Sequence, residues 1–224
     1  MSNLTFVTTA DGSKTIFNAE VGENYHSRHG ALQESQHVFL HSGLKYFLEK
    51  NNTTDASILE VGYGTGLNFL VTTDFCDKNK VDVQYTGIEA YPLPPAMISE
   101  TGYDQYVSGH IWEQFLSNYS ASFHGPVQVD EHTSLEIAEC RLQDFTSKRK
   151  FDVIYFDAFA AVHQPEMWTD EALSHICKFL NGGGVFVTYA ITGNLKRSMK
   201  ALGFTIEKAP GAPGKREMLR AVKL

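Results

Sequence analysis

The segment that most constrains this chain is Glu60-Val61-Gly62-Tyr63-Gly64-Thr65-Gly66. It follows the apolar run Ser57-Ile58-Leu59 and leads into Leu67-Asn68-Phe69-Leu70, so it reads as a strand, a glycine-rich turn and a helix. Residues without a Cβ let the backbone turn sharply and come close to a ligand. The spacing is G-x-G-x-G, with an acid two residues before the first glycine. It is therefore not the dinucleotide fingerprint G-x-G-x-x-G, and no lysine follows as a phosphate-cradling loop requires. A bare tight turn that holds no ligand is the alternative reading.

Around that turn, strands and helices alternate. Leu4–Thr9 and Thr15–Phe17, joined by Asp11-Gly12-Ser13, predict a β-hairpin, and residues from about Ala31 to Lys50 carry apolar positions at helical spacing. Val81–Ile88 and Leu135–Leu142 predict further strands, the latter paired with Val127–Val129. Phe151–Phe156, apolar on both faces, predicts a buried central strand. Pro165 is expected to open a helix running to about Leu180, and Gly182-Gly183-Gly184 to precede a strand at Val185–Tyr189. A helix near Asn194–Leu202 leads to Phe204–Glu207, a turn at Pro210–Gly214, and a closing strand at Glu217–Val222. Repeated βα units imply an α/β fold with a mostly parallel, doubly wound sheet, and the closing strand-turn-strand an antiparallel ending. That ending separates a class I methyltransferase-like (Rossmann-like) sheet from a plain dinucleotide fold. The expected organisation is one structural domain, with residues 1–50 an extension packed on a core of residues 51–224.

The glycine spacing favours S-adenosylmethionine, whose amino acid part rests on such a loop with no pyrophosphate to neutralise. Glu89, at the end of the second strand and about 20 residues past the loop, is placed to accept from both ribose hydroxyls. Asp144, after the third strand, is either an acceptor for an adenine amino group or the N-cap of the turn that follows.

Ligands in doubly wound sheets bind beyond the carboxyl ends of the central strands. Asp157, in Phe156-Asp157-Ala158-Phe159, stands there, and its carboxylate can accept hydrogen bonds from an amine and stabilise positive charge on nitrogen. A loop or N-cap carboxylate is the plainer reading. Tyr25, Trp112 and Trp168 are aromatic groups able to stack on a base or face a sulfonium, or simply to fill core and rim. His26 and His29, and His37 and His41, have helical ligand spacing, yet no HExxH or partner carboxylate completes a site, and no metal is expected.

Net charge narrows the partners less than it first suggests. Nineteen basic and 26 acidic residues give −7, which argues against non-specific coating of nucleic acid. The charge is uneven: residues 195–224 carry +6 and residues 1–194 carry −13. Within that tail Lys215-Arg216 sits on the Gly/Pro-rich turn, where exposed cations would hold phosphate, or simply be solvated. Cys76, Cys140 and Cys177 form no CxxC pair, no apolar run approaches the ~18 residues of a membrane span, and the first residues lack a basic leader. A soluble, cytoplasmic protein with no membrane partner is expected.

Taken together, the residues resemble the tRNA 5-aminomethyl-2-thiouridine methyltransferases, found as stand-alone MnmD-type enzymes and as the methyltransferase half of bifunctional MnmC-type proteins. The resemblance runs from about Thr9 to Val222. It rests on Asp11-Gly12-Ser13, Tyr25-His26-Ser27, Gly30-Ala31 and His37-Val38-Phe39-Leu40, then on Glu60 through Asn68 and Glu89-Ala90-Tyr91-Pro92-Leu93. Tyr155-Phe156-Asp157-Ala158-Phe159, Pro165-Glu166-Met167-Trp168, Thr188-Tyr189 and Gly214-Lys215-Arg216-Glu217-Met218 complete it. It implies N-methylation of the 5-aminomethyl group on the wobble uridine of tRNA, with Asp157 as catalytic group. The implied cofactor contacts are Glu60, Gly62, Tyr63, Gly64, Thr65, Gly66, Asn68, Glu89, Ala90, Asp144 and Asp157. The implied substrate contacts are Tyr25, His26, Phe159, Trp168, Lys215 and Arg216. A small-molecule amine methyltransferase or an aminopropyltransferase shares the sheet and the acidic end, and a non-catalytic cofactor-binding partner in a tRNA-modifying assembly is the reading from another class. Ala161 stands where the family commonly has proline, and His163-Gln164 precede Pro165 in place of Lys-Asn, so a looser loop after Asp157 is expected. With no second glycine fingerprint, the flavin oxidase or other aminomethyl-forming enzyme is expected on a separate chain.

Overall fold

The computed structural model describes residues 3–224. Strands β1 (Leu4–Thr8), β2 (Lys14–Asn18) and β3 (Glu23–Asn24) make a small antiparallel sheet. The expected hairpin is there, and β3 adds a third strand that its two-residue length hid. The helix that follows, α1, runs through Ala31–Glu34, a π-helical stretch Ser35–Lys45, and Tyr46–Asn51. Gly43 lets α1 lie on the main sheet: a Cβ there would come within 2.7 Å of the Tyr155 ring and 3.0 Å of Val187.

The main sheet is built from β4 (Asp55–Val61), β5 (Asp82–Glu89), β6 (Val127–Gln128), β7 (Thr133–Glu139), β8 (Phe151–Phe156), β9 (Leu180–Thr188), β10 (Phe204–Pro210) and β11 (Glu217–Lys223). Their order is β10-β11-β9-β8-β4-β5-β7-β6. The five strands from β9 to β7 are parallel, and β11, β10 and β6 pair antiparallel at the two edges. This is the expected doubly wound sheet with an antiparallel ending. The crossovers include α2 (Leu67–Asn79), α3 (Pro95–Ser99), α4 (Gly109–Asn118), α5 (Asp170–Cys177) and α6 (Gly193–Ala201).

Four element boundaries depart from expectation, the first being β10, which runs past Glu207 to Pro210 and pairs there with Glu217. Pro165 opens only a 3-10 turn, Pro165–Trp168; Thr169 then caps α5 by accepting from the Ala172 N–H, so a fresh helix begins there. β9 starts at Leu180 and takes the three glycines into the strand, with an irregular register opposite Phe151 and Val153. β7 ends at Glu139, and Leu142–Asp144 forms a separate 3-10 turn.

Two apolar clusters cover the two faces of the sheet. One joins Ile16, Phe39 and Leu44 to Ile58, Tyr85, Val153 and Val187; the other joins Leu59, Ile154 and Phe186 to Leu173, Ile176 and Met199. Strand order reverses at β4: β5 and β7 extend the sheet to one side, β8 and β9 to the other. The crevice beyond β4 and β8 is therefore the switch point where ligands of such sheets bind.

Candidate active site at the sheet switch point

The glycine loop and Asp157 meet at this crevice. Val61 and Phe156 are register partners at the ends of β4 and β8, and the Asp157 N–H donates to the Val61 carbonyl at 2.9 Å. Gly62 (φ 82°) lies so near that a Cβ would fall 2.4 Å from the Asp157 carbonyl oxygen. On the far side of the loop, a Cβ at Gly64 (φ 52°) would strike the Tyr25 ring at 2.8 Å. Both positions thus require glycine on two counts, left-handed backbone and close approach.

Asn68, on the first turn of α2, ties the acids together. Its Nδ2 donates to Glu60 at 2.7 Å and to Asp157 at 2.8 Å, while Tyr85 donates to the other oxygen of Glu60 at 2.8 Å. Glu60 is fully buried, and burial pushes its carboxyl well above the usual range against the Asn68 bond. Burial likewise raises Asp157 well above an ordinary aspartate; Glu34 adds to the rise, and Asn68 and Lys215 oppose it. Asn68 Oδ1 is buried with no hydrogen-bond partner among the described residues. A buried acceptor left open beside a carboxylate fits an ammonium donor such as the amino acid end of S-adenosylmethionine.

Glu89 stands at the end of β5. It accepts from the Gly64 N–H at 2.9 Å and the Tyr91 N–H at 3.0 Å, and so holds the glycine loop in shape. Its remaining lone pairs are free to meet vicinal hydroxyls. Ala90, the next residue, is half-buried at the same edge. Thr65 is buried and accepts from Tyr103 at 3.2 Å. Gly66 caps α2 in the left-handed region.

Tyr63 is placed otherwise than as a side-chain contact. Its ring is buried over Gly87, where a Cβ would sit 2.4 Å away, so this residue offers a ligand only its backbone. Asp144 is exposed at the end of its 3-10 turn, whose N-cap position is Arg141, so the capping alternative is wrong.

Beyond Asp157 lies a cavity of about 320 Å³ lined by Tyr25, Glu34, Ala158, Phe159, Tyr189 and Lys215, among others. Tyr25 meets Phe159 edge-to-face at 5.2 Å, and burial, then the Glu89 charge, pushes its hydroxyl up to about 12. His26 is bonded to Thr15 through Nδ1 at 3.0 Å, and burial brings its pKa down to about 4. His26 and His29 precede α1 and do not lie on a helix, which removes the spacing argument for a metal pair; His37 is bonded to the Pro210 carbonyl at 2.7 Å. Among the described residues no group of three or more His, Cys, Asp or Glu is arranged to hold a metal ion.

Trp168 packs on Phe156 and Tyr189 at 5.0 and 6.3 Å, and its indole N–H donates to the Phe159 carbonyl at 2.7 Å. It braces the loop after Asp157 from inside. Trp112 packs on Phe115 of α4, away from that loop. The loop is not left loose by Ala161. Tyr189 donates to the Ala158 carbonyl at 2.9 Å, Trp168 to Phe159, and the Ala160 N–H to Glu23 at 2.8 Å. Three successive residues are thus tied.

Half of the eight basic residues in the tail are spoken for. Arg220 pairs with Glu207 at 2.7 Å and lies over Tyr46, Lys208 is 3.9 Å from Glu217, and Lys223 donates to the Cys177 and Leu180 carbonyls. Lys215, expected on an exposed turn, is half-buried. It pairs with buried Glu34 at 3.1 Å and lies 3.8 Å over the Tyr189 ring. Arg216 alone of that pair is exposed. Sequence reading also missed Glu23 and Glu34 as walls of this cavity; neither sits in a motif, and only the fold brings them there.

Known proteins share this fold. MnmC2 of Aquifex aeolicus superposes with a TM-score of 0.76 at 25% identity, over 99% of this chain and 71% of that one. Spermidine synthase of Thermotoga maritima shares the fold at a TM-score of 0.56 and 14% identity, over 98% and 68% of the two chains. The tRNA 5-methylaminomethyl-2-thiouridine biosynthesis bifunctional protein MnmC of Leptospira borgpetersenii is 30% identical over 87% of this chain and 31% of its own length. That of Magnetococcus marinus is 29% identical over 98% and 35%. The chain therefore spans about a third of the length of these curated relatives. A family profile described as an S-adenosyl-L-methionine-dependent methyltransferase matches residues 107–224. With more than half its length in that match and its glycine loop and acids at the sheet switch point, the chain belongs to the S-adenosyl-L-methionine-dependent methyltransferases.

Proposed function

We propose that this protein methylates the nitrogen of the 5-aminomethyl group on the wobble uridine of tRNA, giving 5-methylaminomethyl-2-thiouridine. The observation that carries this reading is Asp157, joined through Asn68 to the glycine-loop acid Glu60 and adjoining a cavity walled by Glu23 and Glu34. Glu89, Asn68, Asp157, Ala90 and the backbone from Gly62 to Gly66 would hold the cofactor, with Asp144 near its adenine. When bound, S-adenosylmethionine supplies a methyl group on a positively charged sulfur.

An aminomethyl group enters mostly as an ammonium, which carboxylates attract and which cannot attack until it loses a proton. Asp157, with its raised proton affinity, takes that proton on its carboxylate and leaves the nitrogen lone pair free. Its hydrogen bond then aims the nitrogen, while Glu23 and Glu34 favour the positive charge that the nitrogen regains. Tyr25 and Phe159 form the apolar rim against which the base rests, His26 and Trp168 brace that rim, and Arg216 is open to backbone phosphate. Positioning and exclusion of water supply most of the rate.

We place the residues up to 50 as an extension that furnishes the acceptor wall and residues 51–224 as the methyltransferase unit. The aminomethyl-forming flavin chemistry is assigned outside these 224 residues, which carry one glycine-rich loop of this kind. No helix of the described residues is long and apolar enough to cross a membrane; tRNA as substrate places the enzyme in the cytoplasm.

The test is nucleoside mass spectrometry on tRNA bearing 5-aminomethyl-2-thiouridine, incubated with protein and S-adenosylmethionine. Gain of one methyl is expected, and Asp157→Asn should lower the rate on the order of 10²–10⁴-fold while calorimetry still detects cofactor binding. No methyl gain on tRNA, with putrescine consumed in a parallel incubation, would replace this reading by a small-molecule amine transferase.

A further inference from the structure

Lys215 is set in the acceptor cavity by the β10–β11 turn. Its N–H donates to the Ala212 carbonyl at 2.8 Å, and a Cβ at Gly211 would collide with its carbonyl at 2.4 Å, so the turn has one way to present it. The side chain points inward. Nζ meets Glu34 Oε1 at 3.1 Å and lies 3.8 Å over Tyr189. Each partner is fixed in turn: Glu34 Oε2 accepts from the Ser27 N–H at 2.8 Å, and the Tyr189 hydroxyl donates to the Ala158 carbonyl, one residue past Asp157. A lysine held by a buried carboxylate and an aromatic face is not available as a phosphate contact.

Resting on the amine-methylation reading above, we propose that Lys215 is a positioning residue of the acceptor pocket. Clamped between Glu34 and Tyr189, whose hydroxyl bonds the residue after Asp157, it holds a fixed positive charge in a wall that also carries Glu23, Glu34 and Arg28, and so favours the carboxylate form of Asp157 that takes the amine's proton. The groups that face Asp157 are Glu34 from α1, Glu23 from β3, Asn68 from α2, Glu60 from β4, Tyr189 after β9, and Lys215 from the β10–β11 turn. Of these, Glu34 and Glu23 favour its protonated form, and Asn68 and Lys215 its anion, while Asp157 in turn favours the protonated form of Glu60. The clamp spans 181 residues of sequence, so the first wall of the pocket and the last hairpin set the charge together.

The experiment follows the Asp157 carboxyl directly by ¹³C NMR titration of the full chain, in wild type, Lys215→Met, Lys215→Arg and Glu34→Gln. Lys215→Met should raise the midpoint by about one pH unit, Lys215→Arg should restore it, and Glu34→Gln should lower it. In methyl transfer to the tRNA, the acid limb of the kcat profile should move the same way, with KM for tRNA unchanged. Opposite displacements in Lys215→Met and Glu34→Gln are not produced by loosened packing, and Lys215→Arg, which keeps the charge, is the control should Glu34→Gln fail to fold. A midpoint unmoved in Lys215→Met, or a rise in KM and salt sensitivity with the acid limb in place, overturns the proposal in favour of a phosphate contact. If wild type methylates no tRNA, the functional reading fails, and the carboxyl midpoints still decide the role of Lys215.

Discussion

Replacing Asn68 by alanine tests the polar centre of the site through stability, with no substrate needed. Its Nδ2 makes two hydrogen bonds, at 2.7 and 2.8 Å, to two carboxyl groups whose proton affinities burial has already raised. Bonds to a charged acceptor contribute about 1.5 kcal/mol each at the low end, so the loss is about 3 kcal/mol where both groups are ionised. The pH dependence has a definite sign. A carboxyl group whose folded pKa lies above its unfolded one favours the fold at low pH and disfavours it as pH rises through the folded value. Removing the donor raises both folded values further, because Asn68 stabilises the anions. The penalty of Asn68→Ala is therefore smaller at the lower of two assay pH values and larger at the higher, as pH rises through the folded values. Urea unfolding of both proteins at the two pH values measures this, provided the slope with denaturant is unchanged. A chain of this size should lose about 6–12 °C of Tm at the higher pH. An equal loss at both pH values would mean that neither carboxyl changes its protonation in the folded state over that range, and the argument from raised proton affinity at Asp157 would fall with it.

Gly87→Ala should destabilise by about 1–3 kcal/mol, because its Cβ would sit 2.4 Å from the buried Tyr63 ring; a denaturation midpoint equal to wild type would show that the ring can yield. His26, lowered to about 4 by burial, should show no imidazole titration by NMR between about pH 5 and 8. Its folded value lies below the unfolded one, so it contributes stability above about pH 6.5 that is lost as pH falls toward 4, and His26→Gln should flatten that part of the pH–stability curve.

The parts of this enzyme that were legible in its sequence are those written in contiguous residues. The glycine loop announces itself because only glycine tolerates the backbone at Gly62 and Gly64, and Asp157 because an apolar strand, Phe151–Phe156, ends beside it. The mostly parallel sheet followed from alternation, and the antiparallel ending from the closing strand-turn-strand. What could not be read was pairing. The tail's formal +6 suggested a basic edge, yet Arg220, Lys223, Lys208 and Lys215 meet Glu207, two carbonyls, Glu217 and Glu34, and a sum over residues does not register such partners. Asn68 sat inside the motif and still gave no hint of bridging Glu60 and Asp157, which lie 8 and 89 residues away. The Ala161 departure misled for the same reason: the loop's rigidity comes from Glu23, 137 residues upstream of its partner Ala160.

Those long separations have a consequence for how the enzyme comes into being. The glycine-loop side of the crevice is present once β4, β5 and β8 have emerged, since Glu60, Asn68, Glu89 and Asp157 all precede residue 158. The cavity wall is not: it waits for Tyr189 and then for Lys215, which reaches back to Glu34 across 181 residues. A nascent polypeptide therefore carries the glycine loop and its carboxylates well before the residues that complete the cavity wall, and synthesis order sets which half of the crevice can be built first.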